Sequence, residues 1–369
     1  MRLYRMELYK LCHKKAFLIC SVLTMFTMLF YFGLMVNGEM TTVNGVTYRG
    51  YEAVRMDRQI TEAYRGGLTD EKVNDIVEEY GLLSEAQDID EWWRSTNYLI
   101  YFVAEYLSDG DVVGRNDFKA PTKVYDIADT MLGEIQSLSG GEIPFAYTTG
   151  WMVFFNVLEV SLLLTSALLI MSVSIVFAQE EQTGMRALAF TTEEGKTTDV
   201  WVKIAAAFTL TVIVYGVVVL SDFVLCKCVF GLDGRDCPVS VALWGLVYFR
   251  PQSAASYMPV GSFAWMIVGV KMLAMILLCA ITLYVSAYCR STFGAVTTAV
   301  SLWAAPVLIR MLSGGIGYFL TSCMPIFLIF NSSAFETVTL GRTIPTVLLG
   351  VFLSIACVEE GYRVYKRQS

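Results

Sequence analysis

Polar and apolar positions follow one another along this chain in blocks, not residue by residue. A charge-free apolar run covers 16–36, and further hydrophobic blocks lie near 151–178, 200–225, 261–287, 293–313 and 343–360. Each is close to the ~20 residues a helix needs to cross ~30 Å of hydrocarbon, so six membrane helices are predicted. The stretch from Gly314 to Ile329 is also apolar, but glycines and Pro325 interrupt it. It is too short and broken for a seventh span, and an external or re-entrant segment is expected over 314–342. Pro306 is predicted to kink the fifth helix.

The first fifteen residues, MRLYRMELYKLCHKK, place Tyr4, Leu8, Leu11 and Cys12 on one helical face and Arg2, Lys10, His13 and Lys14 on the other. That pattern predicts an amphipathic helix over 1–15 lying on a membrane surface. The apolar run that follows exceeds the core of a secretory signal, so it is read as an uncleaved first span. Residues 38–149 are soluble in character. Thr69 is a candidate N-cap with Asp70 and Glu71 in the first turn, where acids suit the helix dipole. Val73, Ile76, Val77 and Tyr80 then recur at helical spacing. Further helical stretches are predicted near Glu91 to Leu107 and Lys123 to Leu138. The expected fold is an all-α membrane protein: a surface helix, six transmembrane helices and a small helical domain after the first.

Charge gives this arrangement a sidedness. Of 34 acidic and 27 basic residues, 38–149 hold 21 and 9, a balance of −12, which leaves 13 and 18 elsewhere, a balance of +5. Arg2, Arg5, Lys10, Lys14 and Lys15, then Arg186 and Lys196 in the 179–199 loop, Arg290, and Arg363, Lys366 and Arg367 in the 361–369 tail all fall on one side of a six-span topology. By the positive-inside rule that side is cytoplasmic, with both termini, and the 38–149 domain is external. The 226–260 loop is external too. A composition 55% apolar, with mean hydropathy +0.54, fits a chain surrounded by lipid. No basic run suggests a nucleic-acid partner.

The loop after the second span reads FAQEEQTGMRALAFTTEEGKTTDVWVKIAAAF. It resembles the signature region of the membrane subunits of type-2 ATP-binding-cassette exporters, in which an F-x-x-E-x-x-x-G pattern is followed by a leucine, a Thr, a Gly-Arg pair and a Lys that opens the next helix. The matching positions are Phe177, Glu180, Gly184, Leu188, Thr192, Gly195, Lys196 and Lys203; Lys196 stands where Arg is usual and keeps its charge. Glu7 and Lys10 ahead of the first span, and an external domain between the first two spans, are similar to the Firmicutes-like members. The resemblance implies a permease that works with a separate ATPase subunit and a second permease copy. It further implies that a cytoplasmic coupling helix over 179–190, with Glu180, Gly184, Arg186, Leu188 and Lys196, meets the ATPase. Independently, a soluble motor needs a rigid element joined directly to membrane helices. Glu180 is expected to pair with a surface-helix base, Lys10 or Lys14.

Other motifs are weaker. Gly195-Lys196-Thr197 has the tail of a phosphate-binding loop, but Phe190 stands where its first glycine belongs. Nucleotide is therefore expected on another chain, and neither catalytic residues nor a cofactor are expected here. Glu359-Glu360 followed by Arg363 is near a paired-glutamate protease motif. The chain's one histidine, His13, lies far away, so no histidine-based catalytic or metal site is expected. Cys226, Cys228 and Cys237 share one predicted external region, where a disulfide between Cys228 and Cys237 is a candidate; the spacing leaves the pairing open. Asn331-Ser332-Ser333 has the form of a glycosylation acceptor, read here as a bland surface sequence. Glu159 and Lys271 fall at similar depth in the second and fourth spans and are a candidate intramembrane ion pair, to be dropped if their charged groups lie beyond ~6 Å. Asp222 and Arg310 lie near predicted outer ends and are expected to reach water.

The expected function is export driven by ATP hydrolysis on a partner. A rival from another class is a non-transporting membrane sensor or immunity protein whose acidic external domain attracts a cationic peptide. A secondary transporter would need internal inverted repeats, which the sequence does not show.

Overall fold

The computed structural model describes residues 2–112, 118–139, 141–191, 195, 197–243, 257–330 and 340–367. It is mostly helical, and six helices are long and apolar enough to cross a membrane: Lys15–Gly38, Thr149–Thr183, Thr198–Val229, Val260–Tyr288, Thr292–Leu312 and Ile344–Arg367. This is the make-up of a multi-pass membrane protein. The chain divides into two compact units, one of 1–29, 156–222 and 265–369, the other of 30–155 and 223–264.

The helices, in chain order, begin with α1 (Arg2–Cys12), α2 (Lys15–Gly38), α3 (Tyr51–Glu62), α4 (Asp70–Tyr80), α5 (Ile89–Ser95), α6 (Tyr98–Leu107) and α7 (Met131–Ser139). Next come α8 (Thr149–Val173), α9 (Ile175–Thr183), α10 (Met185–Ala189), α11 (Thr198–Val229) and α12 (Val239–Ala242). The series ends with α13 (Val260–Tyr288), α14 (Thr292–Thr321), α15 (Pro325–Ile329) and α16 (Leu340–Arg367).

The second unit is not purely helical, which corrects the all-α expectation. Strands β1 (Met40–Val43) and β2 (Val46–Arg49) form an antiparallel hairpin closed by Asn44-Gly45. Both turn residues have positive φ, 52° and 76°, the twist that a two-residue hairpin favours. A second short pair joins β3 (Gly66–Gly67) to β4 (Pro144–Phe145). Thr69 does cap α4, accepting from the Lys72 amide at 3.4 Å. The stretch predicted as one helix from Glu91 to Leu107 is two. Thr96 is extended and Asn97 restarts the chain as the N-cap of α6, accepting from the Ile100 amide at 3.0 Å. The predicted 123–138 helix is likewise shorter: a 3₁₀ turn, Ile127–Asp129, precedes α7. Trp92, Phe102 and Phe145 fill the core. Asp57 ties three elements together, its Oδ1 accepting from Thr41 Oγ1 at 2.6 Å and from the Tyr98 amide at 3.2 Å. Gly150 lies so close to the chain that an added Cβ would come 1.8 Å from the Gly231 carbonyl oxygen, so only glycine fits.

In the same unit no disulfide joins Cys228 to Cys237, the candidate pair. Cys228 is exposed, whereas Cys237 is buried, with Ala146, Thr148 and Cys237 itself closing around Gly234. Burial first, then Asp236, pushes the Cys237 thiol up to about 12.

The first unit is built on α1, α9, α10, α14 to α16 and the 15–29, 156–222 and 265–288 stretches of the long helices. Leu11, Phe177, Ile204, Leu283 and Tyr365 share one apolar core with Val173, Val176 and Leu210. Two helices outrun their predicted ends. α14 continues to Thr321, because glycines within an apolar helix leave its backbone bonds intact, so the 314–342 segment begins as helix. Pro306 is accommodated inside that helix. α16 continues to Arg367, so the predicted 361–369 tail is helical through that residue; Asn331-Ser332-Ser333 lies outside the described residues. Between α8 and α9 the ladder is opened at Ser174 by a side chain from α13. Ser286 Oγ accepts from the Phe177 and Ala178 amides, at 3.0 and 3.1 Å, and donates to the Ser174 carbonyl at 2.7 Å. A side chain inserted in this way is a recognised cause of helix bending.

Candidate functional site

The residues that carry the family resemblance converge in the first unit on a bent segment, α9 and α10. Gly184 makes the bend. It is the C-cap of α9 in the left-handed region, φ 72°, and the N-cap of α10, so the predicted single helix over 179–190 is two short ones. Glycine tolerates that conformation, which other residues adopt only at a cost. No heavy atom lies within 4 Å of where its Cβ would be, so the glycine serves backbone shape and not close packing.

One side of the bend is fastened by charge. Glu180 Oε2 accepts from Lys203 Nζ at 2.7 Å and from the Tyr365 hydroxyl at 2.9 Å. Lys203 is 2% exposed and also pairs with Asp199 one turn earlier on α11. Lys10 Nζ stands 3.7 Å from Glu180 Oε1 and 3.4 Å from Glu7, which places the surface-helix pair of the sequence analysis beside Glu180. Lys14 instead hydrogen-bonds Gln179. Burial, together with the neighbouring Lys10, lowers the Lys14 ammonium to about 8. A single carboxylate thus joins α9 to α1, α11 and α16. Arg186 fastens the far side. It pairs with Glu181 at 2.8 Å, donates to the Tyr365 carbonyl, and lies 4.5 Å and 5.2 Å from the ring centroids of Tyr365 and Phe190. Only an arginine combines that planar stacking with a fork of donors. Gln182 reaches the start of α14, accepting from Thr292 Oγ1 at 2.8 Å.

The other side of the bend is bare. Met185 and Leu188 are 54% and 64% exposed. Thr192 and Lys196, the remaining motif positions, lie outside the described residues. Elsewhere in the unit, Lys271 Nζ lies 3.8 Å from Glu159 Oε1 and donates to the Ile329 carbonyl; its side chain is 1% exposed. Asp222 is fully buried and does not reach water as expected. Arg310 packs 3.7 Å over the Phe327 ring. Among the described residues no group of acidic, cysteine or histidine side chains is placed to hold a metal ion.

Sequence reasoning missed Tyr365 and Asp199. Tyr365 lay past the charges at Glu359 and Glu360, where the last helix was ended. The spacing of Val358, Tyr362 and Tyr365 carries the helical signal onward, since these three pack on the shared core. Asp199 is four residues before Lys203, the spacing of an intrahelical ion pair. Comparison of the chain with family models, with curated proteins and with solved structures finds no match.

Proposed function

We propose that this chain is the membrane subunit of an ATP-driven exporter of the type-2 ATP-binding-cassette class, working with an ATPase carried on a separate chain and with a second permease copy. The observation that supports it is the bend itself: a short element with bare apolar side chains at its tip, fastened by Glu180, Gln182 and Arg186 to four other helices. An element so held moves as one body with those helices, which is the requirement for converting motor closure into rocking of a helix bundle. The F-x-x-E-x-x-x-G residues fall at its fastening points and its turn. On this reading the bend and both termini face the cytoplasm, α1 rests on the inner surface, and the acidic 38–149 domain is extracellular. Met185 and Leu188 are then the contact with the ATPase. Glu180 is not, because its carboxylate is already engaged by Lys203 and Tyr365.

The test is co-purification from cells that co-express candidate ATPases, using wild type, Met185→Glu/Leu188→Glu and Glu180→Ala. The exporter reading expects an ATPase with wild type, none with the double variant, and reduced yield of a loosened protein with Glu180→Ala. Equal capture by wild type and the double variant would move the contact elsewhere. Should no ATPase accompany the wild type, the exporter reading fails, and the sensor reading, with its acidic domain as peptide receptor, takes its place.

A further inference from the structure

Asp222 on α11 is 0% exposed, and neither of its carboxyl oxygens has a hydrogen-bond partner among the described residues. Facing it is Ser161 on α8, 1% exposed, whose hydroxyl approaches the Asp222 carboxyl and has no other partner among the described residues. The orientation of Ser161 is unusual for its helix. Thr165, Ser166 and Ser172 on α8 each return their hydroxyl to the carbonyl four residues back, at 2.7, 2.8 and 2.8 Å. Ser161 does not, so its oxygen remains available to Asp222. Two helices of bilayer length thereby bring three oxygens to one buried spot, with no partner among the described residues beyond one another.

Such an arrangement is costly unless something completes it. Buried polar groups are almost always partnered, and an unpaired carboxylate removed from water costs several kcal/mol or more. The neighbouring charges do not complete it. Glu159 and Lys271 face each other, and Lys271 is further engaged by the Ile329 carbonyl. On α11, Ser221 donates to the Val218 carbonyl and Tyr215 to the Val268 carbonyl, so neither hydroxyl proton is directed at Asp222.

We propose that Ser161 and Asp222 form an intramembrane site for one positive charge, a proton or a monovalent cation the size of sodium. A proton on Asp222 makes one carboxyl oxygen a donor to Ser161 Oγ. A cation is held by the same three oxygens, hard ligands of the kind that alkali and alkaline-earth ions prefer. Either occupant neutralises the carboxylate and uses the oxygens of both helices, so occupancy fastens α8 to α11 at this level. The inference does not depend on the exporter reading.

The experiment uses the detergent-solubilised full chain as wild type, Asp222→Asn and Ser161→Ala. Infrared difference spectra across about pH 5 to 9 follow the carbonyl stretch of a protonated carboxyl. Thermal midpoints in sodium chloride and in choline chloride at equal ionic strength follow the cation. A proton site gives a carboxylic band that Asp222→Asn abolishes and Ser161→Ala shifts. A sodium site gives stabilisation specific to sodium that Asp222→Asn abolishes and Ser161→Ala weakens about tenfold in affinity. A wild type with neither signal overturns the proposal. If Asp222→Asn fails to fold, Ser161→Ala decides: unchanged band and unchanged sodium response also overturn it.

Discussion

Lys203 Nζ lies 2.7 Å from Glu180 Oε2 with 2% of the lysine side chain exposed. Removing one partner of a buried pair leaves a charge without compensation, at about 3–5 kcal/mol. Because Asp199 remains beside Lys203, Glu180→Ala is expected to destabilise the protein by about 2–3 kcal/mol. Glu180→Gln, which keeps an acceptor for Tyr365, should cost less. Thermal midpoints of the two variants check the order; equal midpoints would mean that charge at this position contributes nothing.

A pH dependence is expected in the second unit. Burial pushes the Asp57 carboxyl up to about 7, against the bonds from Thr41 and the Tyr98 amide that favour its charged form. The folded state then holds this proton more tightly than the unfolded chain. Its contribution to stability is full below the ordinary carboxylate value of about 4 and is lost as pH rises to about 7, at up to about 1.4 kcal/mol per pH unit. Glu39, raised to about 7 by burial and by Asp57, acts in the same direction. Asp57→Asn keeps the Oδ1 acceptor and should flatten the curve. Hydrogen exchange at the Tyr98 amide, followed from about pH 5 to 8 and corrected for intrinsic exchange, reads the effect.

Gly184 offers a test of backbone shape without packing. With φ at 72° and open space where a Cβ would sit, Gly184→Ala should cost about 1–2 kcal/mol from the left-handed conformation alone. Gly184→Asn should cost less than Gly184→Ala, since Asn visits that region more readily. Limited proteolysis between α9 and α10 would report the ranking glycine, then asparagine, then alanine in order of increasing cleavage.

For Glu159 and Lys271 the expectation is coupling. Lys271→Met alone should destabilise more than Lys271→Met combined with Glu159→Gln, because the double variant leaves no charge behind. A double-mutant cycle on thermal or denaturant stability should give about 0.5–3 kcal/mol of interaction. Additive effects would show that the 3.8 Å approach carries no energy.

The sequence made the long helices plain, since a bilayer-length apolar block has one structural reading. It was less informative where tertiary packing overrules local pattern. The hairpin at Asn44-Gly45 was signalled by its turn residues but lay in a stretch read only as soluble. The division at Thr96-Asn97 hid inside a continuous aromatic run. At the fastening of the bend, Glu180, Gly184 and Arg186 were singled out through the resemblance of the loop to a known signature. Tyr365, 185 residues from Glu180, became part of the same cluster only through the long-range packing of the last helix. Asp222 was misjudged because distance from a helix end says nothing about which neighbours cover a side chain.

The hydroxyl of Ser286 gives the junction at Ser174 a second consequence. In an unbroken helix the Ala178 amide would bond the Ser174 carbonyl directly, whereas here the hydroxyl stands between them and serves both. If Ser286 withdraws, the Ala178 amide and the Ser174 carbonyl can meet each other, while the Phe177 amide, which also bonds that hydroxyl, must turn to the Val173 carbonyl one turn back. The junction is therefore a hinge whose backbone has two bonded settings, one through the hydroxyl and one through the restored ladder, so the segment below it can swing provided that both amides change partner together.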